Sequence, residues 1–286
     1  MLRRKAKGLK AHKPHQGQQF SSHRSPTPAG SAAVAPATRS RRRARGDAQV
    51  PPELILKPDV KAAMLQREKA VPHEVVLVTG FEPFDGEKSN PSWEICRQLG
   101  SEIAGVRVET CLVPCEFRRA VEVVAAAIER VHPTFVVCLG QAGGRQRLGV
   151  ERVAINVDDA RIPDNAGAQP IDEFIAANGP PAYFASLPVK AMATAMRAAG
   201  VPTEVSNSAG TFVCNHLMYG VLHYLAASGH RARAGFIHVP FSEEQVVDRP
   251  NTPSMAIATM MKGVRAAIVA AHEHRHDIKA AEGALD

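Results

Sequence analysis

Three side chains that together could cleave an amide bond occur at favourable positions in this sequence, and the first is a cysteine. Cys214 lies in the segment 208–216, where Thr211 is suited to cap a helix. In the first helical turn, unpaired backbone N–H groups and the helix dipole would favour a thiolate and lower the pKa of the thiol. The same N–H groups could stabilise an oxyanion. Cys214 is therefore a candidate nucleophile, and a buried cysteine with a packing role is the alternative.

A thiol nucleophile needs a base, and His238 stands out among the twelve histidines. It ends an apolar run just before a Val-Pro pair, at the predicted end of a strand. His216 and His223 share the predicted helix of Cys214, but a residue two positions away on a helix points away from the thiol. A histidine that is only hydrogen-bonded at a strand end is the alternative for His238.

The base needs an orienting acid, and the polar segment 151–161 offers several carboxylates. Cys-His-acid sites are recognised by geometry and not by order along the chain. The sequence physics therefore leaves Glu151, Asp158 and Asp159 open as the acid.

The elements that must hold these residues follow from the apolar pattern. Uninterrupted apolar runs predict strands buried on both faces, and apolar stripes at helical spacing predict helices. The predicted strands are residues 75–78, 106–112, 135–139, 153–157, 203–206 and 236–239. The predicted helices begin at Asn90-Pro91, near Phe117, at Pro188, at Thr211 and at Thr252. This alternation predicts one α/β domain with three αβα layers and an open, mainly parallel twisted sheet.

In such sheets functional groups collect at the carboxyl ends of the strands. The loops 80–91 and 140–149 and the strand end at His238 occupy those places. The loop 140–144 lacks the G-x-G-x-x-G pattern, and no P-loop or G-x-S-x-G elbow occurs. Residues 272–276 match H-E-x-x-H, but at a predicted helix end with no third ligand, so we expect a solvated helix end and no metal.

The net charge of +7 is unevenly distributed over the 286 residues. Residues 1–46 carry twelve basic side chains and no acidic one, so the remainder sums to −5. Because large apolar side chains are sparse there, residues 1–72 are predicted to form a disordered basic extension, and residues 73–286 the catalytic domain. The extension could be a targeting segment, a nucleic-acid-binding arm or an artefact of an upstream start, since Met64 precedes the first strand.

Five cysteines leave one unpaired and form no C-x-x-C, which favours free thiols in a reducing compartment. No apolar run is long enough to predict a membrane span, so no membrane partner is expected.

Several sequence blocks resemble those of pyrrolidone-carboxylate peptidase, the cysteine-dependent pyroglutamyl peptidase family. The blocks occur in family order over roughly residues 74–275. They are GFEPF (80–84), NPSW (90–93), GQAGGR (140–145), ERVAIN (151–156), ARIPDN (160–165), GTFVCNH (210–216) and GFIHVP (235–240).

The resemblance implies a cysteine exopeptidase that removes N-terminal pyroglutamate from peptides through a thioacyl-enzyme. By motif position its triad would be Glu151, Cys214 and His238. The resemblance also implies an apolar slot for the neutral lactam ring, lined by Phe81, Phe84, Ile162, Phe212 and Val213. Gln141 matches a residue of the lactam-recognition loop, and Arg161 matches a residue near the catalytic site, so all seven are expected to bind substrate. It further implies a cytoplasmic enzyme without metal or cofactor, commonly a homotetramer.

Two positions depart from the family pattern. Cys115 stands where we expect a Thr that borders the ring, and Asn207-Ser208 stands where an aromatic-Thr pair is commoner. Both departures bear on affinity and not on the type of reaction.

Two other functions make different predictions. A phosphate-dependent nucleoside phosphorylase has this general architecture but would need phosphate and would be indifferent to thiol alkylation. A nucleic-acid-binding protein acting through residues 1–46 would show salt-dependent binding that is lost with those residues. Beyond weak binding by the basic extension, nucleic acid is not expected as a partner.

Overall fold

A seven-stranded sheet forms the centre of residues 74–283, the part of the chain that the computed structural model describes. The strands of the described residues are β1 (Val75–Phe81), β2 (Glu102–Ile103), β3 (Val106–Val113), β4 (Phe135–Gln141), β5 (Leu148–Glu151), β6 (Val153–Ile155), β7 (Ala182–Phe184), β8 (Thr203–Ser206) and β9 (Arg233–Val239). In the sheet the order is β2-β3-β1-β4-β9-β5-β8, while β6 and β7 form a separate antiparallel pair. The predicted extension, residues 1–72, lies outside the described residues, so its boundary stays a prediction.

The sheet is mainly parallel, as predicted. β3, β1, β4 and β9 run parallel to one another, and β5 and β8 are parallel to each other. β5 is antiparallel to β9, and the short β2 is antiparallel to β3. Every residue of β1 and of β4 is buried, because helices cover both faces of the sheet.

Five helices form the two outer layers: α1 (Pro91–Gln98), α2 (Arg119–Val131), α3 (Val189–Ala198), α4 (Val213–Ser228) and α5 (Ile257–Glu273). Buried residues of α1, α3 and α5 share one hydrophobic core with the sheet, and those of α2 and α4 share the other. The predicted single α/β domain with three αβα layers is therefore confirmed.

The loop after β1 is tied to the start of α1. Asn90 caps the helix as predicted, with its Oδ1 accepting from the backbone N of Ser92 at 3.1 Å. Ser92 Oγ in turn accepts from the backbone N of Phe81 at 2.9 Å. A Cβ on Gly80 would lie 2.6 Å from the Ser92 carbonyl oxygen, so only glycine permits this close approach. The carboxyl end of β1 is thereby held against α1.

Two predicted helix starts were wrong. α5 begins at Ile257 and not at Thr252, because residues before it pair with the chain after β9: Met255 N donates to Phe241 O at 2.9 Å. α4 begins at Val213, because Thr211 donates its hydroxyl to Asp159 O at 2.7 Å and does not cap the helix. Thr211 thus makes a tertiary contact in place of a cap, and the residues that follow Thr252 pair with Phe241 before the helix begins.

Candidate active site

Cys214 is the second residue of α4, directly after the N-cap Phe212 and Val213. The start of this helix is fixed by Asn215, whose side chain accepts from Ile155 N at 2.9 Å and donates to Ile155 O and to Val157 O. A Cβ on Gly140 of β4 would lie 2.9 Å from Cys214 Sγ. The thiol therefore lies against the end of β4, where a glycine makes room for it.

His238 and Glu151 form a buried pair beside the thiol. In the sheet, His238 of β9 lies directly opposite Gly140 of β4. His238 Nδ1 is 2.7 Å from Glu151 Oε1, and the two side chains are 4% and 0% exposed. Because a carboxylate only accepts hydrogen bonds, Nδ1 carries the proton and Nε2 has the free lone pair. The structure thus brings His238 into contact with Glu151, and Cys214 Sγ lies against Gly140, the strand position opposite His238.

The other two candidate carboxylates do not contact His238. Asp158 pairs with His216, with Oδ2 2.7 Å from Nδ1, and the His216 ring also accepts from Arg118 N at 2.8 Å. The Asp159 side chain is exposed. Of the three acids that the sequence left open, only Glu151 faces the histidine of the cluster.

Arg145 belongs to the cluster, although the sequence analysis assigned it no role. Its Nη1 donates to Glu151 Oε1 at 2.8 Å, and its side chain is 27% exposed. Its Nη2 contacts Ser208 O at 3.4 Å, which ties the loop after β4 to the segment before α4. Glu151 Oε1 therefore accepts from a cation and from an imidazole at once. Its place at the end of the block GQAGGR (140–145), six residues before a candidate acid, was the signal available in the sequence.

Burial sets the protonation of the cluster. Burial raises the pKa of the Cys214 thiol to about 12, the charge of Glu151 adds to this rise, and Arg145 opposes it. The predicted lowering of the thiol pKa was therefore wrong, because desolvation of the thiolate outweighs the helix start. Burial also lowers the pKa of His238, against the opposing hydrogen bond and charge of Glu151. Both shifts favour a neutral thiol and a neutral imidazole over the charged pair.

A cavity of about 690 Å³ adjoins this cluster. Five of the seven residues predicted to bind substrate line it: Phe84, Gln141, Arg161, Ile162 and Phe212. Gln141 directly follows Gly140, and Phe212 is two residues before Cys214, so chain neighbours of the cluster line the cavity, whereas Cys214, His238 and Glu151 themselves do not. The rings of Phe84 and Phe212 lie 6.2 Å apart and form an aromatic wall.

Phe81 and Val213 do not line the cavity. They are 2% and 0% exposed and belong to the core between the sheet and α4. Val213 directly follows the wall residue Phe212, and Phe81 lies three residues before Phe84, so a motif match alone could not exclude them. Cys115 is likewise absent from the lining; it is buried, and its backbone N donates to Glu82 Oε1 at 3.2 Å.

The sequence analysis missed the charged rim and part of the floor of the cavity. These residues are Asp85, Glu87, Gly143, Asp159, Gly210, Thr211, Phe241 and Arg249. Arg249 Nη1 pairs with Glu87 Oε1 at 2.6 Å, and its guanidinium lies 5.4 Å from the Phe241 ring centroid. Most of them lie in loops after β1, β4 and β9, where the carboxyl-end rule places functional groups.

The H-E-x-x-H pattern does not form a metal site. His272 Nδ1 lies 2.6 Å from Glu74 Oε2, and α5 ends at Glu273, before the second histidine. Across residues 74–283 no group of three or more His, Cys, Asp or Glu side chains has the arrangement of a metal site. Nor does any helix of these residues have the length and apolar character that a membrane crossing requires.

The fold and the cluster together define an α/β enzyme with a cysteine at the start of a helix and a histidine and a carboxylate near the ends of two paired strands. The family model described as pyroglutamyl peptidase matches residues 74–274. Pyrrolidone-carboxylate peptidases from Erwinia tasmaniensis and Cupriavidus taiwanensis are 51% and 52% identical to the chain over 210 and 212 residues. Each match covers 73% of this chain and 98% of the relative.

Solved structures show the same likeness. Pyroglutamyl peptidase I from Bacillus amyloliquefaciens matches with a TM-score of 0.71 and 41% identity over 73% of this chain and 100% of its own. The pyrrolidone carboxyl peptidase from Thermococcus litoralis matches with a TM-score of 0.70 and 39% identity, over 73% of this chain and 99% of its own. The chain belongs to the pyroglutamyl peptidase family of cysteine peptidases, and it is an enzyme of that class.

Proposed function

We propose that this enzyme hydrolyses the bond after an N-terminal pyroglutamyl residue of a peptide, with Cys214 as nucleophile, His238 as base and Glu151 as the orienting acid. Family membership supports the reaction. The observation that carries the mechanism is the contact of His238 Nδ1 with Glu151 Oε1 at 2.7 Å, next to the strand position where Cys214 Sγ lies. This contact turns the free Nε2 of the imidazole into an acceptor for the thiol proton.

The first half-reaction begins from the neutral pair. As Cys214 Sγ attacks the carbonyl carbon that joins pyroglutamate to the next residue, the thiol proton passes to His238 Nε2. The Glu151 carboxylate stabilises the imidazolium that forms. The first-turn N–H groups of α4, which have no partner within the helix, stabilise the oxyanion.

Collapse of the tetrahedral intermediate breaks the C–N bond. His238 donates its proton to the departing amine, and a pyroglutamyl thioester remains on Cys214. Water then attacks the thioester carbonyl, His238 takes its proton, and the C–S bond breaks to release pyroglutamate and regenerate the thiol. No metal or cofactor takes part in this proposal.

The cavity suits a neutral lactam. Phe84, Ile162 and Phe212 offer apolar contact, and Gln141 offers a neutral hydrogen-bonding group. Arg161 lies on the same cavity, where it could contact the peptide beyond the ring. Substrates of this site are therefore peptides with an N-terminal pyroglutamyl residue.

The decisive experiment is release of a fluorogenic amine from an L-pyroglutamyl conjugate, with reduced wild-type protein, Cys214→Ala and the control Cys111→Ala. Cys111 is free and partly buried on β3 and has no place in the proposed cluster. We expect Cys214→Ala to abolish turnover and Cys111→Ala to keep it. Activity that survives in Cys214→Ala, or that is absent from reduced wild type, would refute the mechanism.

The thioacyl intermediate has a direct test. Acid quenching during turnover, followed by digestion and mass spectrometry, should find a pyroglutamyl adduct on the peptide that contains Cys214 and on no other cysteine peptide. A quenched enzyme without the adduct, under conditions where the second half-reaction limits the rate, would contradict covalent catalysis.

We also propose a cytoplasmic homotetramer. All five cysteines are free, which suits a reducing compartment. Ile171, Phe174 and Phe184 are 67%, 72% and 70% exposed, and large apolar side chains exposed to this degree are typical of a subunit contact. Light scattering should give four times the mass of the chain, and Phe174→Asp should lower it. A monomeric wild-type protein would refute the assembly.

A further inference from the structure

We propose that Gln245 is a specificity-determining residue that fixes the orientation of the Gln141 amide, so that Gln141 presents its N–H₂ group to the carbonyl oxygen of the lactam ring. The inference rests on the proposed function. Gln245 lies in a short 3-10 turn, Glu243–Val246, which follows β9 and His238. Gln245 does not line the cavity itself, so it would act through Gln141.

The orientation of the Gln245 amide is set by its own turn. Ser242 and Gln245 form a capping box, in which Gln245 Oε1 accepts from the backbone N of Ser242 at 3.0 Å. A backbone N–H can only donate, so the atom that faces it is the oxygen. Gln245 Nε2 must therefore point the other way. It lies 3.3 Å from the carbonyl oxygen of Ser89, which can only accept. Both ends of the amide are thus assigned by backbone groups.

The same Nε2 group assigns the amide of Gln141. Gln245 Nε2 donates to Gln141 Oε1 at 2.9 Å. Because the donor is fixed, the Gln141 atom that meets it has to be the oxygen. Gln141 Nε2 is then available to a molecule in the cavity. Gln141 lines this cavity, although the residue is only 7% exposed. Within residues 74–283, no acceptor is hydrogen-bonded to Gln141 Nε2.

This orientation matches one edge of the pyroglutamyl ring. The lactam carries a carbonyl oxygen that accepts and a ring N–H that donates. A buried N–H₂ group complements the carbonyl oxygen, whereas the flipped amide would place its oxygen against that oxygen. A prolyl residue has the same ring size but no ring carbonyl. The Gln141–Gln245 pair would therefore help to separate pyroglutamyl from prolyl substrates.

The sharpest perturbation is Gln245→Glu. The introduced carboxylate can still accept from Ser242 N, since Glu and Gln serve equally in a capping box. It has no donor for Gln141 Oε1, so Gln141 turns its N–H₂ group toward it and its oxygen toward the cavity. Kinetics with L-pyroglutamyl and L-prolyl conjugates of one fluorogenic amine measure the effect. Glu244→Gln, an exposed position in the same turn, is the matched control.

We expect Gln245→Glu to raise KM for the pyroglutamyl conjugate about thirtyfold with kcat within about twofold, because a ground-state contact that persists in the transition state is lost. Turnover of the prolyl conjugate should not fall, so the ratio of kcat/KM between the two substrates shrinks. Gln245→Met, which frees Gln141 without reversing it, should raise KM about fivefold. Glu244→Gln should match wild type.

Three results would overturn the inference. The first is an unchanged KM in Gln245→Glu with active wild type. The second is an equal loss for both conjugates, which would indicate a structural defect. The third is a fall in kcat alone. Wild-type protein without pyroglutamyl hydrolysis would instead refute the proposed function, so the two failures are distinguishable. The unfolding midpoint of each variant, measured by circular dichroism, separates loss of fold from loss of recognition.

Discussion

Gly140→Ala tests whether the sheet positions the thiol. An added Cβ would lie 2.9 Å from Cys214 Sγ and 2.6 Å from Phe236 Cζ. Non-bonded carbon atoms are at their optimum near 3.5–4.0 Å, so the thiol or the ring has to move by about 1 Å. The Phe236 ring is 1% exposed and packs at 4.8 Å between ring centroids on His238, so it has little room to retreat.

The size of the effect follows from these distances. A displacement of about 1 Å in a reacting group can cost about 100-fold in rate, and overpacking a buried site typically costs about 1–3 kcal/mol of stability. We therefore expect kcat/KM for an L-pyroglutamyl conjugate to fall about 100-fold in Gly140→Ala. The free energy of unfolding should fall by about 2 kcal/mol.

The assay pairs initial-rate kinetics with urea unfolding, and Gly235→Ala is the control. A Cβ on Gly235 of β9 would meet Leu187 Cδ1 at 3.0 Å, which is also overpacking but does not involve the thiol. This variant should lose stability and keep kcat/KM within about threefold. If Gly140→Ala keeps full activity, or if both variants lose it equally, the reasoning that β4 places Cys214 is wrong.

Three further predictions concern protonation, capping and the extension. Because the folded pKa of His238 is lowered below its ordinary value near 6.5, the unfolded chain binds more protons, so the free energy of unfolding should fall as pH drops from about 7 to about 5. The acid limb of kcat/KM should lie below pH 6.5, and a limb above it, or pH-independent stability, would contradict the neutral imidazole. Asn90→Ala removes the cap of α1 and its bonds to Ser92, so urea unfolding should show a loss of about 1–2 kcal/mol, and an unchanged midpoint would refute the role of the cap. A chain that starts at Met64 should keep turnover within about threefold, since the extension supplies no residue of the cluster, and a larger loss would assign the extension to the working enzyme.

Local sequence patterns predicted most of the helices and strands, because the residues that specify each of these elements lie close together in the sequence. The apolar run at β1, the Asn90-Pro91 start of α1 and the stripe of α2 each lie in a short stretch of sequence. β5 escaped prediction because its four residues are too few to show a period, and it forms only by pairing with β8 and β9. The start of α5 was misplaced because Thr252-Pro253, a good cap signal, is used in a segment that pairs with Phe241.

Some residues of the candidate site could likewise be predicted from local patterns, and others could not. Cys214 and His238 could be named from helix-start and strand-end positions alone. Three carboxylates within nine residues could not be separated, because the choice depends on which of them faces β9 and which faces His216. The direction of the Cys214 pKa was wrong for a related reason, since the helix start is visible in the sequence and the burial of the thiol is not.

By itself, the sequence determined that this chain folds as a mainly parallel α/β domain, that a histidine lies at the carboxyl end of a strand, and that a cysteine lies at the start of a helix. Only the tertiary structure decided that Glu151 and not Asp158 meets His238, that Arg145 holds the same carboxylate oxygen, and that Gln245 reaches Gln141 from 104 positions along the chain. The physical reason is the separation along the chain over which each kind of interaction acts. Periodicity and capping act between residues a few positions apart, whereas hydrogen-bond partners and desolvation are set by what the packed sheet brings into contact.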